Sequence, residues 1–325
     1  MKEAMYYKKG DNGEVYCVLC PHYCKIEDGK VGKCRVRKNI DGSLYSLNYG
    51  KVTSYAYDPI EKKPLYHFYP GANIFSIGSF GCNLACEFCQ NWEIVYKEDL
   101  TMTISDGDII SLARAKNSLG VAFTYNEPSV LYEYILDVAR RTKEAGLKNV
   151  MVTNGYINQE PLEELLPYLD AMNIDLKSMD DFFYKHLCKG RLDPVLRTIE
   201  VASKQTHVEV TTMIIDEENS SLGEIRSLAK RIGEIDRSIP LHLSRYFPAY
   251  KMKQPPTKTE TLVEGQNVAR EYLDYVYIGN VWGIDNSSYC PNCHNKLVDR
   301  SRGVEIVGIE DGRCKKCQYK VNFIY

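Results

Sequence analysis

The chain has 325 residues, 44% hydrophobic and 26% charged, with a formal net charge of −2. This is the composition of an ordinary soluble globular protein with room for one large α/β domain and small appendages. The charge balance gives no reason to expect a nucleic-acid surface, and no apolar run approaches membrane-spanning length. The first nine residues lack the apolar core of a signal peptide, so a cytoplasmic protein is expected.

Twelve cysteines depart from that ordinary picture. In a reducing compartment they point to metal ligands more than to disulfides. Residues 1–50 carry the first group: Cys17, Cys20, Cys24 and Cys34 surround Gly29 and Gly32. A segment this small has no core of its own, so a metal is expected to hold it together. Zinc suits the ligand type and spacing and is the plainer reading; four thiolates also suit a second iron–sulfur cluster. Asp41-Gly42 between short apolar alternations predicts a β-hairpin closing the module. Residues 51–73 hold three prolines, a charge run and an aromatic cluster, which predicts an irregular linker or covering segment. His67 in it is either a satisfied loop residue or a ligand.

From residue 74 to about 284 the pattern alternates strand and helix. Apolar strands are predicted near 74–79, 119–125, 148–153, 171–176, 207–215 and 239–246, with a seventh at 275–279. Amphipathic helices are predicted over Pro128–Gly146 and Asn219–Ile235. Repeated βα units with near-continuous apolar strands imply a parallel sheet. The fold class is therefore α/β, a partial (β/α) barrel of six or seven parallel strands flanked by small N-terminal and C-terminal four-cysteine metal modules. Chemistry is expected at the C-terminal ends of the strands.

Polar residues are found there. After the first strand, Cys82, Cys86 and Cys89 form C-x3-C-x2-C, with no further Cys or His for forty residues downstream. A 4Fe-4S cluster normally takes four thiolates, so three would leave one iron open to another ligand. Three free cysteines, or half of a zinc site, is the plainer alternative. The second strand ends at Glu127, a cap for the next helix or an anion for a bound cation. The third ends at Thr153 and Asn154. The fourth places Asp175 and Lys177 on one side, as a structural ion pair or a functional one. Glu209, Thr211, His242, Arg245 and Tyr246 follow, to line the barrel wall or face substrate. Cys188 stands alone, most simply as a small buried hydrophobe. Residues 285–325 contain Cys290, Cys293, Cys314 and Cys317 as two C-x2-C knuckles, a zinc-ribbon spacing that a single iron would also suit.

The C-x3-C-x2-C loop, with Phe88 before its last cysteine and an apolar strand before its first, resembles the motif of the radical SAM superfamily. Thr153-Asn154-Gly155 and Asp175-Leu176-Lys177 resemble the activating enzymes of glycyl-radical proteins, such as the pyruvate formate-lyase activating enzyme. Over nearly the whole chain, the order of motifs resembles the radical SAM component of the AmmeMemoRadiSam system. The resemblance implies a 4Fe-4S cluster on Cys82, Cys86 and Cys89. It also implies S-adenosylmethionine (SAM) held by Phe88, Glu127, Thr153, Asn154, Asp175 and Lys177. Tyr125 and Asn126 stand where that superfamily usually has two glycines before the glutamate. It further implies a low-potential donor, flavodoxin or ferredoxin, and hydrogen abstraction from a substrate that can be a protein. A small molecule or RNA as substrate, or a non-catalytic iron–sulfur and zinc protein, are the alternatives.

Overall fold

The computed structural model describes residues 1–96 and 101–325. Its centre is one eight-stranded sheet: β1 (Ser54–Pro59), β2 (Asn73–Gly78), β3 (Gly120–Phe123), β4 (Lys148–Thr153), β5 (Ala171–Asp175), β6 (His207–Ile214), β7 (Leu241–Arg245) and β8 (Val276–Gly279). The strands lie in sequence order, and β8 does not pair with β1, so the barrel is open. Strands β2 to β8 are parallel, and β1 is antiparallel to β2. Strand β6 is buried at every position but Met213, as expected when both faces of a parallel sheet are covered.

Five of the helices cover the outside: α1 (Asp106–Ala115), α2 (Tyr132–Glu144), α3 (Leu192–Ala202), α4 (Leu222–Ile235) and α5 (Thr259–Ala269). Helix α2 buries Ile135, Val138 and Thr142 against the sheet, enters through a 3₁₀ turn begun by Pro128, and ends before Gly146 at φ +75°. Helix α4 starts three residues later than its sequence predicts. Ser221 caps it by accepting from the Glu224 N–H. Asn219 instead ties the end of β6 to the end of β5: its amide donates to the Lys177 carbonyl at 2.7 Å and the Met213 carbonyl at 2.9 Å. Among the described residues no helix is long and apolar enough to cross a membrane.

The segment 51–73 is not the irregular linker its prolines and charges predict, since β1 lies within it. Tyr57 packs on Phe75 with ring centroids 5.0 Å apart and donates to the Leu112 carbonyl at 2.7 Å. Pro59 ends the strand at the sheet edge, where no second neighbour needs its missing N–H. The remainder of the segment folds under the N-terminal ends of the strands. There the Glu209 carboxylate accepts from the N–H groups of Tyr66 (3.0 Å) and His67 (2.7 Å). It also pairs with His207 (3.1 Å) and His242 (2.6 Å). His67 stacks on Phe323 at 3.7 Å and contacts the Tyr277 hydroxyl at 2.7 Å. This is a closed floor, away from the strand ends where chemistry is expected.

The N-terminal hairpin is present: Arg37–Ile40 pairs with Ser43–Ser46 through Asp41 (φ 50°) and Gly42 (φ 75°). At the other end, Ser288–Tyr289, Lys296–Asp299 and Glu305–Ile306 form a small sheet beside the hairpin of Ile309–Glu310 and Arg313–Cys314.

Candidate functional site

Strand β2 delivers the chain to the loop of Cys82, Cys86 and Cys89 at the C-terminal mouth of the barrel. Gly81 makes the loop possible: at φ +89°, a Cβ there would lie 2.5 Å from Val36 Cγ1 and 3.0 Å from the Cys34 carbonyl oxygen. Asn126 braces the same turn. Its Oδ1 accepts from the Ser79 N–H at 3.0 Å, and its amide donates to the Gly81 carbonyl at 3.0 Å. The Asn83 amide donates to the Tyr156 carbonyl at 2.7 Å, and the Ala85 and Glu87 N–H groups donate to the Cys188 and Leu187 carbonyls at 2.9 and 3.0 Å. The latter two acceptors belong to a π-helical turn, Tyr184–Cys188, a distortion that recurs at functional sites.

The loop and the strand ends enclose a cavity of about 230 Å³. All nine residues expected at the central site line it: Cys82, Cys86, Cys89, Phe88, Glu127, Thr153, Asn154, Asp175 and Lys177. Glu127 caps the turn after β3, accepting from the Ser129 N–H at 2.9 Å. It also accepts from the Thr153 hydroxyl at 2.7 Å and the Asn154 N–H at 2.8 Å. The cap reading of Glu127 holds, and its carboxyl also lines the cavity. Burial pushes its carboxyl up, against these hydrogen bonds. Lys177 donates to Asp175 at 3.0 Å, with its ammonium 5.9 Å from the Phe88 ring centroid. Burial works against the Lys177 charge, yet Asp175 and then Cys86 hold it well above the ordinary lysine range. Burial pushes the Cys82 thiol well up, and Glu127 adds to that. Cys86 is held lower by the neighbouring Cys188 thiol and, against burial, by Lys177.

Several participants were not singled out in the sequence. Asn126 reads there only as a departure from a glycine, yet it is the main brace of the loop. Thr211, expected from the sequence on the inward side of its strand, does line the cavity, and its buried hydroxyl has no hydrogen-bond partner. Asn83 links Asn154 to the loop, accepting from the Asn154 amide at 3.0 Å. In contrast, Arg245 turns away to donate to the Thr257 carbonyl at 2.7 Å, and Tyr246 is buried; Ser244 lines the cavity instead. His67 and Glu209 lie in the floor.

The residues fit a 4Fe-4S cluster with a charged ligand on its open iron. Three thiols come from one loop, both signs of charge face them, and an orphaned hydroxyl points to a missing polar partner. Beside the cavity, and sharing Gln90 with it, an open cleft of about 1200 Å³ runs between the end of β8 and the C-terminal module. Phe247 and Trp282, the latter 101% exposed, stand on its walls with Arg300.

The C-terminal cysteines are gathered: Cys290 and Cys317 sulfurs lie 3.6 Å apart, those of Cys293 and Cys314 3.7 Å, and all four within 4.8 Å of one another. The four could hold one metal ion. Cys17, Cys20, Cys24 and Cys34 share one module, and among the described residues the group found at single-ion spacing is the C-terminal one.

The family model of the Radical SAM superfamily matches residues 76–229. Over the whole of both chains the sequence is 43% identical to an uncharacterized protein of Methanocaldococcus jannaschii. It is 28% identical to the pyruvate formate-lyase-activating enzyme of Clostridium pasteurianum, over 50% of this chain and 72% of that one. The fold is similar to that of Streptococcus suis SuiB bound to the precursor peptide SuiA. That likeness has a TM-score of 0.51 at 16% identity and covers 68% of this chain and 51% of that one.

Proposed function

Since the chain belongs to the radical SAM superfamily, we propose that its cavity binds a 4Fe-4S cluster on Cys82, Cys86 and Cys89 together with SAM, and starts a hydrogen abstraction. When bound, the pair supplies one-electron cleavage of SAM to methionine and a 5′-deoxyadenosyl radical. The chain's own residues bind and orient. Glu127, fixed by three hydrogen bonds, offers its charge to the SAM ammonium. Thr153, Asn154, Asp175 and Lys177 would hold the ribose and carboxylate, and Phe88 would pack on the adenine. Leu84, Phe88 and Val95 help exclude water from the cavity. The observation that carries this reading is the convergence of three thiols, Glu127, Asp175 and Lys177 on one cavity.

The substrate we propose is a protein segment. The open cleft beside the cavity is broad enough for a chain, and the similarity to an activating enzyme agrees. A small molecule or RNA base is the second reading, favoured if the cleft is not used. Within the superfamily we place the chain with the radical SAM component of the AmmeMemoRadiSam system, because of its two flanking four-cysteine modules. The electron donor is a flavodoxin or ferredoxin, and the C-terminal module carries zinc.

The test is anaerobic reconstitution, addition of SAM and dithionite, and measurement of 5′-deoxyadenosine. Formation of product, lost in Cys86→Ala, is expected. Absence of product from cluster-loaded protein, or full activity in Cys86→Ala, overturns the reading.

A further inference from the structure

The turn that follows β4, Thr153 to Tyr156, is tightly fastened. Gly155 stands at φ +68°, where a Cβ would lie 2.9 Å from Ile174 Cγ2. Its N–H donates to the Thr153 hydroxyl at 3.1 Å, and its carbonyl accepts from the Thr198 hydroxyl at 2.7 Å. Asn154 is buried in this turn and lines the cavity.

Three hydrogen bonds close a ring between the turn and the cysteine loop. The Asn154 amide donates to Asn83 Oδ1 at 3.0 Å, the Asn83 amide donates to the Tyr156 carbonyl at 2.7 Å, and the Tyr156 N–H donates to Asn154 Oδ1 at 2.9 Å. The two backbone groups fix the orientation of both amides. A backbone N–H needs an oxygen opposite it and a carbonyl needs an N–H, so neither asparagine can be turned end for end. Asn83 is held in turn from the N-terminal module, where the His22 Nε2 hydrogen-bonds with the Asn83 carbonyl at 2.6 Å.

An asparagine amide carries two N–H bonds. One of those in Asn154 is spent on Asn83. The other faces sulfur: Asn154 Nδ2 donates to Cys82 Sγ at 3.6 Å, within reach because sulfur is larger than oxygen. The Leu84 N–H donates to the same sulfur at 3.4 Å. The Asn154 backbone N–H is given to Glu127 at 2.8 Å. Every N–H of Asn154 is therefore committed, and what it can still offer SAM is a lone pair of its carbonyl oxygen. A neutral thiol is a weak acceptor that needs no such pair of donors. A thiolate on iron carries charge, and hydrogen bonds to charge are the strong ones.

Hydrogen bonds to sulfur are among the levers that set an iron–sulfur potential. A donor draws negative charge toward itself and so favours the form with one more electron. Partners of this kind tune a metal centre when their own orientation is locked, and the ring locks Asn154.

Given the cluster site proposed above, on which this rests, we propose that Asn154 is a positioning residue for that cluster: its amide donates to the Cys82 thiolate and raises the potential at which the cluster accepts its electron. The electron comes from the flavodoxin- or ferredoxin-class donor, and no bond or proton changes hands as it arrives.

The test uses the full chain reconstituted with iron and sulfide, without SAM, poised at a series of potentials, with the reduced cluster counted by paramagnetic resonance. Asn154→Ala is expected to load iron and sulfide as wild type does, since the three cysteines remain. It should take up its electron about tenfold less readily, a midpoint about 59 mV lower for one electron. An unchanged midpoint overturns the proposal. A second measurement needs no variant and stands even if Asn154→Ala takes up no iron. With ¹⁵N in the side-chain amides of asparagine, reduced wild-type protein should show a nitrogen hyperfine coupling to the cluster, and its absence overturns the proposal. Wild-type protein that assembles no cluster would defeat the function proposed above; a loaded cluster with neither midpoint shift nor nitrogen coupling would defeat the Asn154 hydrogen bond alone.

Discussion

At the scale of single residues, the central cavity depends on side chains that fasten as well as on those that bind. Asn126 holds the turn of Ser79 to Gly81 from a point 45 residues away. Asn126→Ala removes those hydrogen bonds, and a loss of about 1–3 kcal/mol in chemical unfolding is expected, with reduced iron uptake. Unchanged stability and iron content would show the brace to be idle. Lys177 has a different task. Asp175 keeps its ammonium charged well above the ordinary lysine range, so SAM affinity should not titrate with Lys177 between pH 6 and 9. Lys177→Met should weaken SAM binding about tenfold or more by calorimetry, the loss of one charged hydrogen bond; equal affinity would leave it a purely structural partner of Asp175. The three cysteines were legible because their spacing is local in sequence. Asn126 and Asn83 were not, because their roles are defined by neighbours elsewhere in the chain.

At the scale of elements, the parallel strands were readable as apolar runs and their helices as 3.6-residue periodicities. Strand β1 was not. Its Tyr55, Tyr57 and Pro59 alternate with the small or polar Ser54, Ala56 and Asp58, which carries little apolar signal, and only the edge of the finished sheet gives it a partner. The same segment builds the floor around Glu209. Burial alone would raise that carboxyl, but hydrogen bonds from His207 and His242 hold it well below the ordinary value of 4.5. A carboxyl depressed in the folded state contributes stability that is complete above its unfolded value and fades as pH falls toward the folded one. Glu209→Gln is therefore expected to be less stable than wild type at pH 7, by about 3 kcal/mol. The gap should narrow below about pH 4.5 as wild type loses this contribution. A gap independent of pH in thermal unfolding would contradict the assignment.

At the scale of the whole molecule, three cysteine groups divide the chain into beginning, centre and end, and that division was plain in the sequence. Their mutual contacts were not, because nothing local announces that Cys34 will meet Gly81 or that Phe323 will stack on His67. The C-terminal module reaches the floor through its last strand of chain: Ile324 donates to the His67 carbonyl at 2.8 Å, and its own carbonyl accepts from the Tyr69 N–H at 2.6 Å. Metal binding there is thus linked to the barrel. Cys314→Ser, or a strong chelator, should release the ion and lower the unfolding temperature of the entire chain. Separate melting of an unchanged barrel would show the two to be uncoupled.

That tether has a chemical corollary. Peroxide attacking the ribbon thiols would eject a bound ion and slacken the underside of the barrel, far from the cavity proposed to hold the cluster. Air exposure would then injure this protein in two places, and supplying iron and sulfide afresh would mend only one of them.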